Sequence, residues 1–465
     1  MKILLAASEV APLIKVGGLG DVVGSLPIAL EKLGVDVDII VPFYTYAEVS
    51  NFNLYKSLEI EVPFGGEIHT VVVYKTKLPD SEVDVILLQN LEFFDFKKEA
   101  LPVGEDQSRM YGFFSGAVVE YIKSQFNTYD LVHCQDWHTG MITHLLEDQF
   151  GIDRPKTLFT IHNLLYQGSG SAAMLKDMGV LPGEHALIDW DMSDTQLNFM
   201  FQGITSSDFV STVSTQYAKE IKTKEFGGAL SDELIAREER LTGILNGINY
   251  SQFPKTYHLG NWQSAKAKAK EDLQRALGLD VKDAPIFAFV SRLDPGQKGL
   301  EILYPAVGHI NYHAGQFVLL GTGAKDWETR FSMLNDDKHY RGNVACKILF
   351  DNKLALDIYQ ASDFLIIPSK YEPCGLTQMI AMTYGTLPIV RAVGGLKDTV
   401  VNDRNGITFN EYSNESLLEA INKAFALYKD KEKYRHMVEV AMKEDFSWDR
   451  SALAYKELYT KVISS

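Results

Sequence analysis

The residues best suited to chemistry sit in six short motifs, each following an apolar run. The first is Lys15-Val16-Gly17-Gly18-Leu19-Gly20-Asp21. Glycines there let the backbone approach a ligand, a helix start offers N–H groups to an anion, and Lys15 adds a point charge. Asp21 could equally cap a helix in an ordinary tight turn. The second, His133-Cys134-Gln135-Asp136-Trp137-His138, offers carboxylate and imidazole partners for sugar hydroxyls and a ring for the apolar sugar face. A helix cap beside a core Trp reads as well. The third is His162-Asn163, followed by Leu-Leu-Tyr-Gln-Gly. The fourth runs from Ser291-Arg292 to Lys298-Gly299 and brings two cations to a helix start, where a pyrophosphate could lie. Charge-assisted hydrogen bonds of that kind contribute ~1.5–3 kcal/mol each. The fifth is Glu372-Pro373-Cys374-Gly375-Leu376-Thr377. Its N–H groups from Gly375 onward face an anion, Thr377 can donate, and Glu372 projects a carboxylate. The sixth, Gly394-Gly395-Leu396, gives another close-approach loop.

These motifs need strand ends to hold them. Apolar runs at 2–7, 37–41, 83–89, 131–134, 157–161, 209–213, 286–291, 316–321, 343–350, 363–368 and 386–392 read as strands. The spacing predicts helices over 21–33, 109–125, 138–149, 264–277, 299–312, 353–361, 414–428, 430–443 and 448–463. Such alternation means an α/β chain with parallel strands covered on both faces. The polar, turn-rich stretch 246–261 precedes a Lys/Ala-rich helix and divides the chain in two. Ligands of open α/β sheets bind at the carboxyl ends of the strands, so a cleft between two such sheets is the expected site. The stretch 164–205 is long and irregular, as functional loops are.

Bulk properties narrow the classes. A chain of 465 residues, 46% of them hydrophobic, exceeds one compact core. The formal net charge of -16 disfavours nucleic acid and anionic membranes as partners, whereas a neutral polymer needs no basic face. No apolar run approaches the ~20 residues of a membrane span. Cys134, Cys346 and Cys374 fit neither a disulfide framework nor a zinc site, which suggests a reducing cytoplasm. The start, MKILLAASEVAP, lacks the longer apolar core of a signal peptide. No metal site and no cofactor are expected. G-x-S-x-G and P-loop motifs are missing, and the dinucleotide pattern fails at Val23. What remains is an anion-plus-sugar site split between two α/β domains.

The strings KVGGLGDVVGSLP (15–27), HCQDWH (133–138), HNLLYQG (162–168), ILNGIN (244–249), EPCGLTQ (372–378) and GGLKDTV (395–401) resemble the bacterial glycogen synthase and plant starch synthase family. The resemblance runs in order along essentially the whole chain and includes the closing DFSWDRSALAYKELY (445–459). It implies the GT-B fold: a Rossmann-like domain over 1–247 that 448–465 rejoins, and a nucleotide-sugar domain over 248–447. It further implies retaining transfer of glucose from ADP-glucose to the non-reducing end of an α-1,4-glucan. By motif position, Lys15, Gly17 and Gly18 are expected to close on the donor, with Asp21 beside them. Arg292 and Lys298 are expected on the diphosphate, helped by N–H groups at Leu376 and Thr377. Glu372, His162 and Asn246 are expected on the donor glucose, near Cys374 and Gly375. Phe350 falls where the family sets an aromatic against adenine. Asp136 and Trp137 are expected to face the acceptor. Displacement on the front face is the expected mechanism, the leaving phosphate helping to deprotonate the acceptor; a covalent route would need a carboxylate beneath the anomeric carbon, which no motif supplies.

The sequence also departs from the family. Five residues separate Arg292 from Lys298 where four are usual, and Pro295-Gly296 could absorb the extra one as a turn. Asn249 replaces the more usual Asp, Phe201 stands where Lys is common, and SGSAAM follows HNLLYQG. Two alternatives stay open: UDP-glucose as donor, or an inactive glucan-binding homologue.

Overall fold

The computed structural model describes residues 1–96, 102–125, 127–181, 183, 185–254 and 257–465. The chain divides into two compact units. The first comprises 1–213, 218–247 and 448–465; the second comprises 214–217 and 248–447.

The first unit is built on a nine-stranded sheet. Its order is Leu241–Gly243, Phe209–Thr212, Lys156–Ile161, Leu131–Gln135, Lys2–Ala6, Asp36–Pro42, Asp84–Gln89, Glu67–Lys77 and Tyr55–Phe64. The first seven pair in parallel. Ile3, Leu4, Leu5 and Ala6 are wholly buried, which is why this run is apolar without alternation. The last two strands form an antiparallel hairpin. Its two-residue turn is Gly65-Gly66, both at positive φ (65° and 82°), where glycine carries no Cβ penalty.

The second unit holds a six-stranded parallel sheet ordered Val344–Lys347, Gln316–Leu320, Ile286–Val290, Phe364–Ile367, Leu387–Arg391 and Ile407–Phe409. In both sheets the strand order reverses beside the unit's first strand. The loops leaving Lys2–Ala6 and Leu131–Gln135 flank one reversal; those leaving Ile286–Val290 and Phe364–Ile367 flank the other. Ligand sites of open α/β sheets lie at such points.

The helix Trp448–Ile463 belongs to the first unit. Its Tyr459 hydroxyl meets His133 Nδ1 at 2.8 Å, and Lys456 Nζ donates to Leu33 O at 2.7 Å. Among the described residues, no helix is long and apolar enough to cross a membrane.

Three expectations change. The helix expected over 21–33 is two, Gly18–Val23 and Leu26–Lys32. The break falls at Gly24, where a Cβ would meet Ala11 O at 2.3 Å. The stretch 164–205, outside residues 182 and 184, is largely ordered rather than irregular. It contains the helices Ala172–Asp177, Ala186–Asp191 and Phe199–Ser206, and the paired strands Ser169–Gly170 and Leu197–Asn198. Ser214–Tyr217 groups with the second unit because Ser214 Oγ donates to Pro373 O at 2.6 Å and Asp398 accepts from Thr215 and Gln216.

Candidate functional site

In the second unit the site grows from two strand ends. After Ile286–Val290, Arg292 is exposed and the chain turns at 295–297. Lys298 N donates to Asp294 O at 2.8 Å, and Gly296 N donates to Asp294 Oδ1 at 2.9 Å. The extra residue between Arg292 and Lys298 is therefore taken up in a turn. Gly299 follows at φ 66°, where a Cβ would stand 2.1 Å from Pro368 O. That close approach joins the two loops. Lys298 Nζ meets Glu372 Oε2 at 2.7 Å, and Ser369 Oγ donates to the same oxygen at 2.9 Å.

Glu372 and Lys298 are both nearly out of solvent, with side chains 9% and 13% exposed. Removing one partner of such a pair leaves an uncompensated charge. The loop beyond Glu372 is tightly held. Gly395 N donates to Glu372 O at 3.1 Å, and a Cβ on Gly394 would stand 1.9 Å from that oxygen. Gln378 Nε2 donates to Gly375 O at 2.9 Å, and Gly375 adopts φ 72°. Ser291, Lys298, Glu372, Gly375, Leu376 and Thr377 line a cavity of about 60 Å³. Cys374 is buried beside it. Thr377 opens the helix Thr377–Thr383 without capping it, since Leu376 is the N-cap and no side chain caps the turn. Phe350 stands 81% exposed ahead of the helix Asn352–Ala361.

In the first unit the glycine loop is organised by a residue that the motif reading passed over. Glu9 is buried, and its Oε2 accepts from Val16 N at 2.5 Å and Gly17 N at 2.8 Å. Burial raises the Glu9 carboxyl above its usual range, against the pull of those amides. Two N–H groups expected to face an anion are thus taken by the chain's own carboxylate. Lys15 Nζ pairs with Asp21 Oδ1 at 2.7 Å, and Asp21 does not cap the helix Gly18–Val23. Gly20 packs closely here, since a Cβ would lie 3.1 Å from Glu9 Oε2 and 3.3 Å from Ile14 O.

Asp136 leaves the strand Leu131–Gln135 at φ 62° and ψ 177°, a conformation that costs energy outside glycine. Its carboxyl is buried and pushed up to about 8 by burial, though N–H groups of Trp137, His162 and Asn163 pull the other way. His133, His138 and His162 are each held down to about 3, mainly by burial, so all three are neutral near pH 7. His162 Nε2 meets Gln135 Oε1 at 2.7 Å, which assigns the proton to Nε2 and leaves Nδ1 as acceptor. Gln135 Nε2, Asp136 Oδ1, His138 Nδ1 and Asn246 Oδ1 are buried without a hydrogen-bond partner. Buried polar atoms are nearly always paired, so such groups mark a site for a ligand rich in donors and acceptors.

Two members of the second motif are structural. His133 bridges Tyr459 and Thr160, the latter at 2.6 Å. Trp137 is only 6% exposed, as the core reading of this ring has it. Its ring lies 4.2 Å from His138 and 5.2 Å from Tyr111, centroid to centroid. Gly168 seals it, because a Cβ there would overlap the Trp137 ring at 2.0 Å. One spacing runs against the expectation of no metal site. His309 and His313 stand four apart on the helix Leu300–Tyr312. Their rings lie 4.5 Å apart, and His309 Nε2 pairs with Asn422. Among the described residues no group of three His, Cys, Asp or Glu side chains could hold a metal ion.

Comparison with known proteins agrees with this division. Residues 2–236 match a family model described as the starch synthase catalytic domain, and residues 270–444 match one described as glycosyl transferases group 1. A glycogen synthase from Kosmotoga olearia is 39% identical over 479 residues, covering 100% of this chain and 98% of its own. One from Geotalea daltonii is 39% identical over 489 residues, covering 100% and 99%. The catalytic domain of starch synthase IV from Arabidopsis thaliana, solved bound to ADP and acarbose, superposes with a TM-score of 0.90 at 33% identity, covering 100% of this chain and 99% of its own. A sucrose-phosphate synthase from Thermosynechococcus elongatus, at 21% identity and a TM-score of 0.62 (100% and 99% covered), shares the fold.

Proposed function

The chain belongs to the glycogen and starch synthase family, glucosyltransferases of GT-B fold that elongate glucan, and from that premise we propose that ADP-glucose is its donor. The glucose passes to the non-reducing end of an α-1,4-glucan with retention of configuration. The observation that carries this reading is the Lys298–Glu372 pair at the second unit's strand-order reversal, beside the Gly375–Thr377 loop. Cations and loop amides there suit a diphosphate, and a carboxylate suits the adjoining sugar hydroxyls. Arg292 and Lys298 bind the phosphates with Leu376 and Thr377, and Phe350 stacks on the base. Glu372, with Cys374 and Gly375 nearby, binds the glucose. The ADP of the Arabidopsis complex supports this choice of nucleotide.

In the first unit, neutral His162 and Asn246 contact the glucose and Asp136 meets the acceptor. His162 acts as a hydrogen-bond partner and not as a proton donor, because its ring is neutral near pH 7. Lys15, drawn to Asp21, steadies the loop beside the donor until phosphate competes for it. Bond breaking at the anomeric carbon runs ahead of attack. The bond to the phosphate oxygen breaks with its electron pair, and the leaving ADP accepts the proton of the attacking hydroxyl. Catalysis is then positioning and charge stabilisation, without a resident cofactor or metal. Lys298 and Ser369 both bind Glu372 Oε2 and so orient the carboxylate. Three buried free thiols support a cytoplasmic location.

The test is to incubate the protein with glycogen and either ADP-glucose or UDP-glucose and measure nucleoside diphosphate release. ADP release well above UDP release is expected. Release from UDP-glucose alone would overturn the donor assignment, and release from neither would leave a glucan-binding homologue.

A further inference from the structure

A cavity of about 590 Å³ lies in the second unit, away from the loops described above. That volume falls within the ~300–1,000 Å³ of small-molecule sites. The helices Trp262–Leu277 and Lys431–Lys443 wall it. Asp363, also in the lining, fixes where it sits. That residue precedes the strand Phe364–Ile367, and its Oδ2 accepts from Ile286 N at 2.8 Å, at the start of Ile286–Val290. The cavity therefore lies at the amino ends of two strands whose carboxyl ends lead to Lys298 and Glu372.

Its charge runs against that of the chain, which carries a formal net charge of -16. Lys266, Lys270, Lys282, Lys431 and Arg435 line it against Glu271, Asp283 and Asp363. The acids are already engaged. Asp363 meets Lys270 Nζ at 2.7 Å and accepts from the Tyr434 hydroxyl at 2.9 Å. Glu271 pairs with Arg275 on its own helix, and Asp283 accepts from the Tyr428 hydroxyl and lies 3.6 Å from Lys431 Nζ. Lys266, Lys282 and Arg435 are left without a carboxylate in ion-pair contact among the described residues. Lys282 donates instead to Asn343 Oδ1 at 2.6 Å. Lys266 is the stronger case. It is 4% exposed, and its ammonium donates only to neutral groups: Gln360 O and Tyr384 O at 3.1 Å, and Thr386 Oγ1 at 2.8 Å. Buried charges are ordinarily paired, so this one lacks a counter-ion. Desolvation holds the Lys266 ammonium down to about 7, which expresses the same shortage of negative charge.

We infer that this cavity binds the phosphoryl group of a small anion, inorganic phosphate or a phosphorylated sugar. Arg435 and Lys431, both exposed, supply charge-assisted hydrogen bonds at its mouth. Lys266 and Lys270 supply the buried positive charge behind them. The site does not rest on the choice of donor nucleotide, and its ligand does not compete with ADP, because the two sites stand at opposite ends of the same strands.

The experiment titrates inorganic phosphate, and separately glucose 6-phosphate, into wild-type protein and Arg435→Glu by calorimetry, with saturating ADP present to fill the donor loops. One anion per chain is expected to bind wild type, and Arg435→Glu is expected to weaken it about tenfold or more while ADP binding stays as in wild type. Equal affinity for the two probes assigns the site to phosphate itself; tighter binding of glucose 6-phosphate assigns it to a phosphorylated sugar. Circular dichroism checks the fold, and Lys431→Glu carries the same expectation if Arg435→Glu misfolds. No binding of either probe in the presence of ADP, or binding unchanged in a folded variant, would overturn the site.

Discussion

The two strand-order reversals hold different electrostatics. In the second unit the reversal carries a buried ion pair, Lys298–Glu372, with exposed Arg292 on the same loop. In the first unit the comparable position sets mostly neutral groups beside one half-exposed ion pair, Lys15–Asp21. Its histidines are held uncharged, its aspartate is pushed up to about 8, and its glycine loop spends two N–H groups on Glu9. The second unit's loops suit a diphosphate, whose charge must be met by charge. The first unit's neutral histidines and amides suit hydroxyl groups, which need donors and acceptors without net charge. Fold similarity between two Rossmann-like units does not dictate similar sites; the residues at the loop ends do.

The comparison breaks most visibly at Glu372. Glu372→Ala removes the partner of Lys298 and the proposed sugar contact, so kcat/KM should fall by about 10³-fold or more, with the fold kept by circular dichroism. Near-normal turnover would mean that the second unit's pair is structural only.

Asp136 sharpens the other side. In the folded protein its carboxyl titrates near 8, far above the ordinary value of 3.8. Between these values the folded chain keeps a proton that the unfolded chain has released. Its stabilising contribution is complete below 3.8 and is lost as pH rises to about 8. Asn does not titrate. The stability of Asp136→Asn relative to wild type should therefore grow across that window, by on the order of a few kcal/mol. Denaturant melts at several pH values read this, and a gap independent of pH would show that Asp136 is not held protonated.

Sequence reading reached the strands and the loops more readily than the pairings. The runs 2–7 and 286–291 are legible because burial on both faces leaves them continuously apolar. The hairpin Tyr55–Phe64 and Glu67–Lys77 lies outside the expected strands, although it alternates and turns at Gly65-Gly66, because its antiparallel pairing departs from the βα alternation around it. Lys298 and Glu372 are 74 residues apart, and only parallel pairing of Ile286–Val290 with Phe364–Ile367 brings their loops together. Glu9 belongs to no motif; its role depends on amides seven and eight residues later that fold back over it. Trp137 reads equally as a sugar platform or a core ring, because nothing local reveals that Gly168 closes over it.

Calorimetric titration of ADP into wild-type protein, Arg292→Ala and His162→Ala tests the division of labour most directly. The account predicts that Arg292→Ala weakens ADP binding about tenfold or more, by loss of a charge-assisted contact, while His162→Ala binds ADP as wild type does. Equal weakening by both variants, or none from Arg292→Ala, would contradict it.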